Sequence, residues 1–531
     1  QGPGASGDTS GQRFIPLAAA AFWIAAPINL GPVLYISQRM TILASLFTVL
    51  GILLYLRIRL SGLRVIPKVS LLAVSTALCT YLAYYSKENG ILLVGYLALI
   101  ELVVLQDIDR WVMARLRASV IAKGILVAAG ISVCWVAWDM ALPFIERQFA
   151  AYDGRDFTLG ERVLTQFRVI NFYISQVLVP NNAELSMWHD DFPLSRGLFK
   201  PFTTLIAIAI IVGLLLLALF SIRRNRLISF SIFWFFLGHS LESTFIPLEM
   251  VHEHRNYLPS WGILLLLSYV VLSSRLIRPR MGLVILGFFW VFNVGVLHAR
   301  AEIWSNDIIK AGHEARYHPD SPMAQFSYAR YLFLAAKSGD QEAATAAEQI
   351  LERSILIDQS SIASEMLLVI LGYTTDVEIQ SRWIEGALSK LEDVGYTPVN
   401  SRALSGVLDF FKGRKDGPDR LDPVPVVPLY NYLETMGHPQ LTTLAAIFQL
   451  EIMDNPEKGL ALMERAADQA GYRPAYRFNL LRSQIKLRRT DEVCHSLDEI
   501  KSLPYSELVM FKKELIKVEQ FLGDTCKSSG Q

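Results

Sequence analysis

Charge is scarce in this chain of 531 residues: Asp, Glu, Lys and Arg make up 19% of it, against a hydrophobic share of 52% and a mean hydropathy of +0.34. That balance is too apolar for an ordinary soluble protein, so a large part of the chain must lie in lipid. A basic excess is missing too, because 50 Lys and Arg against 49 Asp and Glu leave a formal net charge of +1. Binding a phosphate backbone needs cations gathered in excess on one surface, which sets nucleic acid aside as a partner. The opening run Gln1 to Gln12 lacks both an initiating Met and the basic n-region of a signal peptide, and it reads as the start of a fragment or processed product. Cysteine is limited to four positions. Cys79 and Cys134 fall inside apolar runs, where a thiol is ordinarily packing. Cys494 and Cys526 fall in the C-terminal part, where an oxidising compartment would permit a bond that spacing alone leaves open.

What the chain has instead is long apolar runs. A helix needs roughly 20 residues to cross a hydrocarbon core, and about nine such spans are read in the first 300 positions. They are Phe14 to Ile36, Met40 to Leu56, Ser70 to Tyr85, Gly90 to Gln106, Ile121 to Phe144, Thr203 to Phe220, Leu227 to Pro247, Ser260 to Leu272 and Met281 to Leu297. Pro27 and Pro32 break the first of them. Arg57, Arg59, Arg64 and Lys68 follow the second span, Arg110, Arg115, Arg117 and Lys123 the fourth, Arg223, Arg224 and Arg226 the sixth, and Arg275, Arg278 and Arg280 the eighth. Cationic short loops mark the cytoplasmic side, so every other turn, and everything after the ninth span, faces outward.

The fold expected is all-α, a polytopic transmembrane bundle followed by a soluble helical domain. Its parts are a polar segment 1–13, a transmembrane domain 14–300 with an outward loop 145–202, and a helical-repeat domain 301–531. In the outward loop, Phe157, Val163, Phe167, Ile170 and Tyr173 alternate with Arg155, Glu161, Arg162 and Arg168, which predicts a helix lying along the membrane surface. The C-terminal domain shows helical periodicity over Ala324 to Leu334, Glu342 to Ile357 and Leu441 to Ala470, like degenerate tetratricopeptide repeats without a clean period. Pro418, Pro423, Pro425 and Pro428 mark an extended break between its halves.

The outward turns carry the polar clusters. His252-Glu253-His254-Arg255-Asn256-Tyr257 is the densest. Arg255 is suited to a phosphate, His252 and His254 to proton transfer or a metal, and Tyr257 to anchoring at the interface, against the plainer reading of a solvated turn. His239 and Glu242 stand three apart near the outer end of the preceding span, where ionisable groups usually face a cavity, or else link helices. Ser86-Lys87-Glu88-Asn89 sets a cation beside an anion, for a diphosphate or for each other. His189-Asp190-Asp191 offers adjacent carboxylates that a divalent metal, Mg or Mn, would bridge to a lipid diphosphate, or one of which would act as base on a hydroxyl. Gln38-Arg39 is a further polar pair.

Together with Pro27-Ile28-Asn29, Tyr35, Arg155-Asp156-Phe157-Thr158 and Glu161-Arg162, these clusters resemble bacterial relatives of the tetratricopeptide-repeat transmembrane O-mannosyltransferases, of the GT-C class. The resemblance covers nearly the whole chain and is strongest from Phe14 to Arg300. It implies an integral-membrane glycosyltransferase of a bacterial inner membrane, with its C-terminal domain periplasmic. Such an enzyme moves a sugar from a polyprenyl-phosphate donor in the membrane lipid to a protein or glycan acceptor. It also implies that the span beginning at Phe14 is the family's third helix, with two helices and an acidic catalytic loop preceding Gln1. On this reading Arg39, Lys87 and Arg255 contact the donor phosphate. Glu88, Asp190, Asp191 and Glu253 orient the acceptor or a metal, and His252 and His254 assist proton transfer. Gln38, Asn89, His189, His239, Glu242, Asn256 and Tyr257 support them. A polymerase or ligase of lipid-linked glycans, or a membrane-anchored repeat scaffold without enzymatic activity, is the rival expectation.

Overall fold

A computed structural model describes residues 12–105, 148–149, 151–274, 276–375, 377–414, 421–471, 473–504, 508–522 and 526. Among these residues the fold is all-helical, and the only β pairing is an isolated bridge between Gly197 and Lys200. The chain divides into two compact units, Gln1–Ser321 and Pro322–Gln531. The seam lies 21 residues beyond the expected one, as α10 (Pro279–Trp304) runs past Leu297 and is followed by α11 (Asp307–Tyr317), whose Glu314 accepts from the Met187 N–H.

Among the described residues of the first unit, five helices are long and apolar enough to cross a membrane: Ile36–Arg59, Ile66–Ser86, Glu88–Leu105, Thr203–Ser221 and Pro279–Trp304. The pair Ile15–Ala25 and Pro27–Leu34 makes a sixth if its 55° bend lies within one span. The bend falls where Pro27 has no N–H to continue the ladder. The expected span Ile121 to Phe144 lies outside the described residues. Large apolar side chains such as Leu53, Ile66, Val74, Phe220 and Phe288 are exposed along these helices, a surface that water would not tolerate but lipid would.

Numbering follows the chain: α1 (Ile15–Ala25), α2 (Leu30–Leu34), α3 (Arg39–Arg59), α4 (Val65–Ser86), α5 (Leu93–Leu99), α6 (Leu159–Leu178), α7 (Thr203–Ser221), α8 (Arg226–His239) and α9 (Ser260–Ser273). Helices α8 and α9 have 14 residues each, ~21 Å of rise, short of the ~30 Å a span needs. They occupy the middle of the unit, where Trp234, Phe235, Leu264 and Leu265 pack with Phe22, Tyr96 and Tyr173. Gly262 permits the contact, since a Cβ there would stand 2.5 Å from the Ser231 carbonyl. Because α8 stops at His239, the segment from Ser240 to Pro259 forms a non-helical turn, with a short 3-10 helix at Glu253–Asn256, that packs into the bundle.

The second unit is a succession of helices that pack as neighbours, with α12 (Pro322–Ala336) on α13 (Gln341–Ile357) and α18 (Pro439–Glu451) on α19 (Pro456–Ala470). The periodic run Leu441 to Ala470 is thus two helices, parted at Asp454, whose φ is 51°, and restarted at Pro456. The expected extended break is also shorter than its prolines suggest. Pro418 lies outside the described residues, but Pro425 and Pro428 sit in the first turns of a 3-10 helix (Val424–Val426) and of α17 (Val427–Leu433), where a missing N–H costs nothing. Between these pairs, in chain order, come α14 (Ala363–Thr374), α15 (Ser381–Val394) and α16 (Pro398–Lys412), and after them α20 (Pro474–Lys486), α21 (Thr490–Ser502) and α22 (Lys512–Leu522). Cys494 and Cys526 are joined by a disulfide, and Cys79 is a buried free thiol.

Candidate functional site

The turn after α8 is shaped by α6. That helix starts at a capping box, Thr158 accepting from the Glu161 N–H and Glu161 accepting from the Thr158 N–H. One turn on, Arg162 is fully buried. Its guanidinium donates to the carbonyls of Glu242 (3.0 Å), Thr244 (2.9 Å) and Leu248. Gln166 donates to the Met250 carbonyl (2.9 Å), and the Tyr173 hydroxyl accepts from the His252 N–H at 2.7 Å while lying 3.0 Å from its carbonyl. One face of α6 is therefore a template for the backbone from Glu242 to His252. Burial pulls Arg162 down to about 10, with Arg255 adding repulsion, so it stays charged at neutral pH. An amphipathic count assigns Arg162 to the water-facing side; the structure corrects this, because the face it occupies is covered by the turn.

On that template the expected cations do not all meet. Lys87 and Arg255, from different turns, converge on Glu242, at 3.3 Å to Oε1 and 3.5 Å to Oε2. Lys87 also donates to Thr41 (3.2 Å), and Arg255 to the carbonyls of Glu249 (2.9 Å) and Met250 (3.1 Å). Burial lowers the Lys87 ammonium, against the pull of Glu242. Arg39 is exposed and donates to the Val33 carbonyl at 3.3 Å; it stands apart because it opens α3, where its side chain follows the chain back. Glu88 is likewise exposed, and Lys87 takes Glu242 as its salt-bridge partner. The His239–Glu242 pairing does not form, since the helix ends between them. His239 is buried on the Tyr173 ring (centroids 5.3 Å apart) with Ser243 Oγ at 3.3 Å.

A second convergence lies beside the first. Glu253 is buried, and Oε2 accepts from Arg300 at 2.5 Å, while Oε1 lies 3.6 Å from His189, too far for a hydrogen bond. Glu253 Oε1 and the Arg300 Nε and Nη1 have no hydrogen-bond partner. Glu253 opens on a cleft of about 240 Å³ bordered by Tyr35, Gln38, Met187, Trp188, His252, His254 and Trp304. His254 also borders a gap of about 20 Å³ shared by Arg255, Asn89 and Thr41, so its ring is the wall between the carboxylate side and the cation side. The rings of His252 and His254 stack with centroids 4.9 Å apart. Burial and the nearby Arg255 take His252 down to about 3, and burial and Lys87 lower His254 further. Both imidazoles are neutral at neutral pH. Asn256 is buried and donates to the Glu253 carbonyl (3.3 Å), and the Tyr257 carbonyl accepts from the Trp23 indole (2.5 Å).

Asp190 and Asp191 lie at the edge of this arrangement and are engaged separately. Asp191 meets His318 at 2.8 Å, and Asp190 accepts from the Ser321 hydroxyl. Among the described residues no three His, Cys, Asp or Glu side chains gather as metal ligands, because these two carboxylates diverge. The Met187 N–H donates to Glu314 (3.0 Å), whose carboxyl burial raises. Arg300, Glu314 and His318 are absent from the expected set. Arg300 had a signal, a cation at the end of an apolar helix, but it falls at the seam where the span is read as finished. Compared with protein-family models, with curated proteins and with solved structures, the chain matches none.

Proposed function

We propose that this chain is an integral-membrane glycosyltransferase that takes a sugar from a polyprenyl-phosphate donor and passes it to a protein or glycan acceptor at the outer face of a bacterial inner membrane. The observation that carries the reading is the burial of Lys87 and Arg255, from two outward turns, on the one carboxylate of Glu242, next to a cleft that ends on Glu253. Two buried cations sharing one anion leave a positive charge unbalanced, and charge of that sign in a poorly hydrated place is worth most to a phosphate. The disulfide between Cys494 and Cys526 supports an oxidising compartment for the C-terminal unit. The alternation of cationic and polar turns supports about nine spans, and the paired helices of that unit support a tetratricopeptide-like domain for the acceptor.

In the reaction an acceptor oxygen attacks the anomeric carbon as the bond from that carbon to the phosphate oxygen breaks, so the polyprenyl phosphate leaves with one more negative charge. Lys87 and Arg255 would stabilise that charge, and Glu253 would take the proton of the acceptor hydroxyl. His254 stands between them. Its proton affinity is suppressed by burial and by Lys87, and an arriving phosphate would reverse the sign of the neighbouring field, letting the ring hold a proton for the leaving group.

The test is transfer from labelled polyprenyl-phosphate sugar to acceptors in membrane extract. Loss of transfer in both Lys87→Ala and Arg255→Ala, with folded protein, is expected; full transfer in either removes the phosphate assignment. As an independent check, Glu242→Gln is expected to bind polyprenyl phosphate more tightly than the parent, since the competing anion is gone, and weaker binding would oppose the reading.

A further inference from the structure

Helix α22 and the 3-10 turn before it (Val509–Phe511) use only one face in the packing of the second unit. Phe511, Leu515, Val518 and Leu522 turn toward Phe478, Leu481 and Leu497, and the Phe511 and Phe478 rings stack with centroids 5.5 Å apart. The opposite face carries Met510, Lys513, Ile516, Lys517 and Phe521, with Lys512 at its border, and all six are exposed. Met510 is 89% exposed and Phe521 73%, an apolar surface that is costly to leave in water. The charges of the helix are sorted between the two faces. Its acids, Glu514 and Glu519, sit at the borders and are engaged by neighbouring helices, Glu514 by Arg482 of α20 and Glu519 by Lys501 of α21 at 3.0 Å. Among the described residues none of the three lysines has an ion pair. The outer face therefore interleaves large apolar groups with uncompensated positive charge.

We infer that this face of α22 docks on the anionic lipid headgroups of the membrane that carries the first unit. The helix lies in the plane of the surface, with Met510, Ile516 and Phe521 inserted among the acyl chains and the lysines reaching the lipid phosphates. Composition favours lipid over a protein partner. Protein interfaces are depleted of lysine at their centre, whereas Lys513 and Lys517 stand in the middle of this patch, between Met510 and Phe521. A lysine stem lies along apolar surface while its ammonium stays with polar headgroups. Covalent linkage to membrane-crossing helices keeps a lipid surface at high effective concentration around this unit. The docking goes beyond the transferase reading and does not depend on it.

Hydrogen exchange on the full chain tests this in nanodiscs of phosphatidylcholine alone and of phosphatidylcholine with phosphatidylglycerol. Amides of residues 509–522 are expected to exchange about tenfold more slowly in the anionic discs, since each lysine near such a surface strengthens docking about fivefold. High salt should remove the difference. Joint replacement Lys512→Gln, Lys513→Gln and Lys517→Gln is expected to abolish it, and joint replacement of the three by Arg to keep it. Phe521→Asp, which leaves all three lysines in place, should abolish it too. The two kinds of variant guard against a folding defect in one. Equal exchange in the two lipids overturns the inference, as does protection that persists in the Gln variant. Protection that follows the number of chains per disc instead of the lipid assigns the face to a second copy and likewise overturns it.

Discussion

Arg300, near the C-terminal end of α10, donates to Glu253 of the turn after α8 at 2.5 Å, and the two side chains are buried together. This pair ties the end of a long apolar helix to the floor of the cleft. Taking one partner away leaves a charge in a poorly hydrated interior, which typically costs about 3–5 kcal/mol, whereas removing both charges costs much less. Glu253→Gln and Arg300→Gln are each expected to lower Tm in detergent, and the double substitution to recover part of the loss. Additive losses in that cycle would show that the contact contributes nothing.

Arg162 makes a different kind of prediction, because its partners are carbonyls rather than a carboxylate. Three of them, from Glu242, Thr244 and Leu248, converge on one planar guanidinium. Lysine keeps the charge but cannot present donors in a fork. Arg162→Lys is expected to destabilise the turn after α8 by about 1–3 kcal/mol and to speed amide hydrogen exchange in residues 242–252 while leaving α7 unchanged. Exchange in that segment equal to the parent's would mean that α6 is no template.

These two arginines also show what can be read in the chain beforehand and what cannot. Long apolar runs and cationic turns survive in the sequence because they repeat, and so the all-helical, membrane-spanning character is legible. Lys87, Arg255 and Glu253 stand out because polar residues bunched at helix ends are costly without a purpose. Their partners are less visible. Glu242 pairs with Lys87 and Arg255 only because α8 ends at His239, and helical periodicity carried past that point pairs it with His239 instead. Arg162 is hidden by the habit of assigning charge to the wet face of an amphipathic helix. Asp190 and Asp191 look like one site because they are adjacent, yet in irregular backbone neighbouring side chains diverge, one to Ser321 and the other to His318.

The disulfide offers a test in the second unit. Cys494 on α21 and Cys526 are 32 positions apart, and α22 between them contributes only partly buried side chains, Leu515, Val518 and Leu522, to a core built on Phe478, Leu481 and Leu497. Weak burial makes a covalent tether important. Closing a loop of that length removes denatured-state entropy equivalent to about 3–4 kcal/mol. Cys526→Ser is expected to lower Tm of the second unit and to release α22 to proteases, with no effect on the first unit. Mass spectrometry that finds both thiols alkylated without prior reduction would refute the pairing itself.

His318 and Asp191 give the pH dependence. Burial works against the imidazolium, but the hydrogen bond and charge of Asp191, with Glu314 and Asp190 behind it, outweigh burial and raise His318 above its ordinary value of 6.5. The folded state then binds the proton more tightly than the unfolded chain does. Its contribution is fully present below the unfolded value and is lost as pH rises through the folded one. Parent protein should therefore exceed Asp191→Asn in Tm by most on the acid side of 6.5, with the gap closing as pH climbs above that value. Because Asp191 belongs to the same segment as Met187 and Trp188, amide exchange at residues 186–191, corrected for the intrinsic pH effect, should rise over the same window. A gap that widens toward alkaline pH would reverse the sign and place the proton elsewhere.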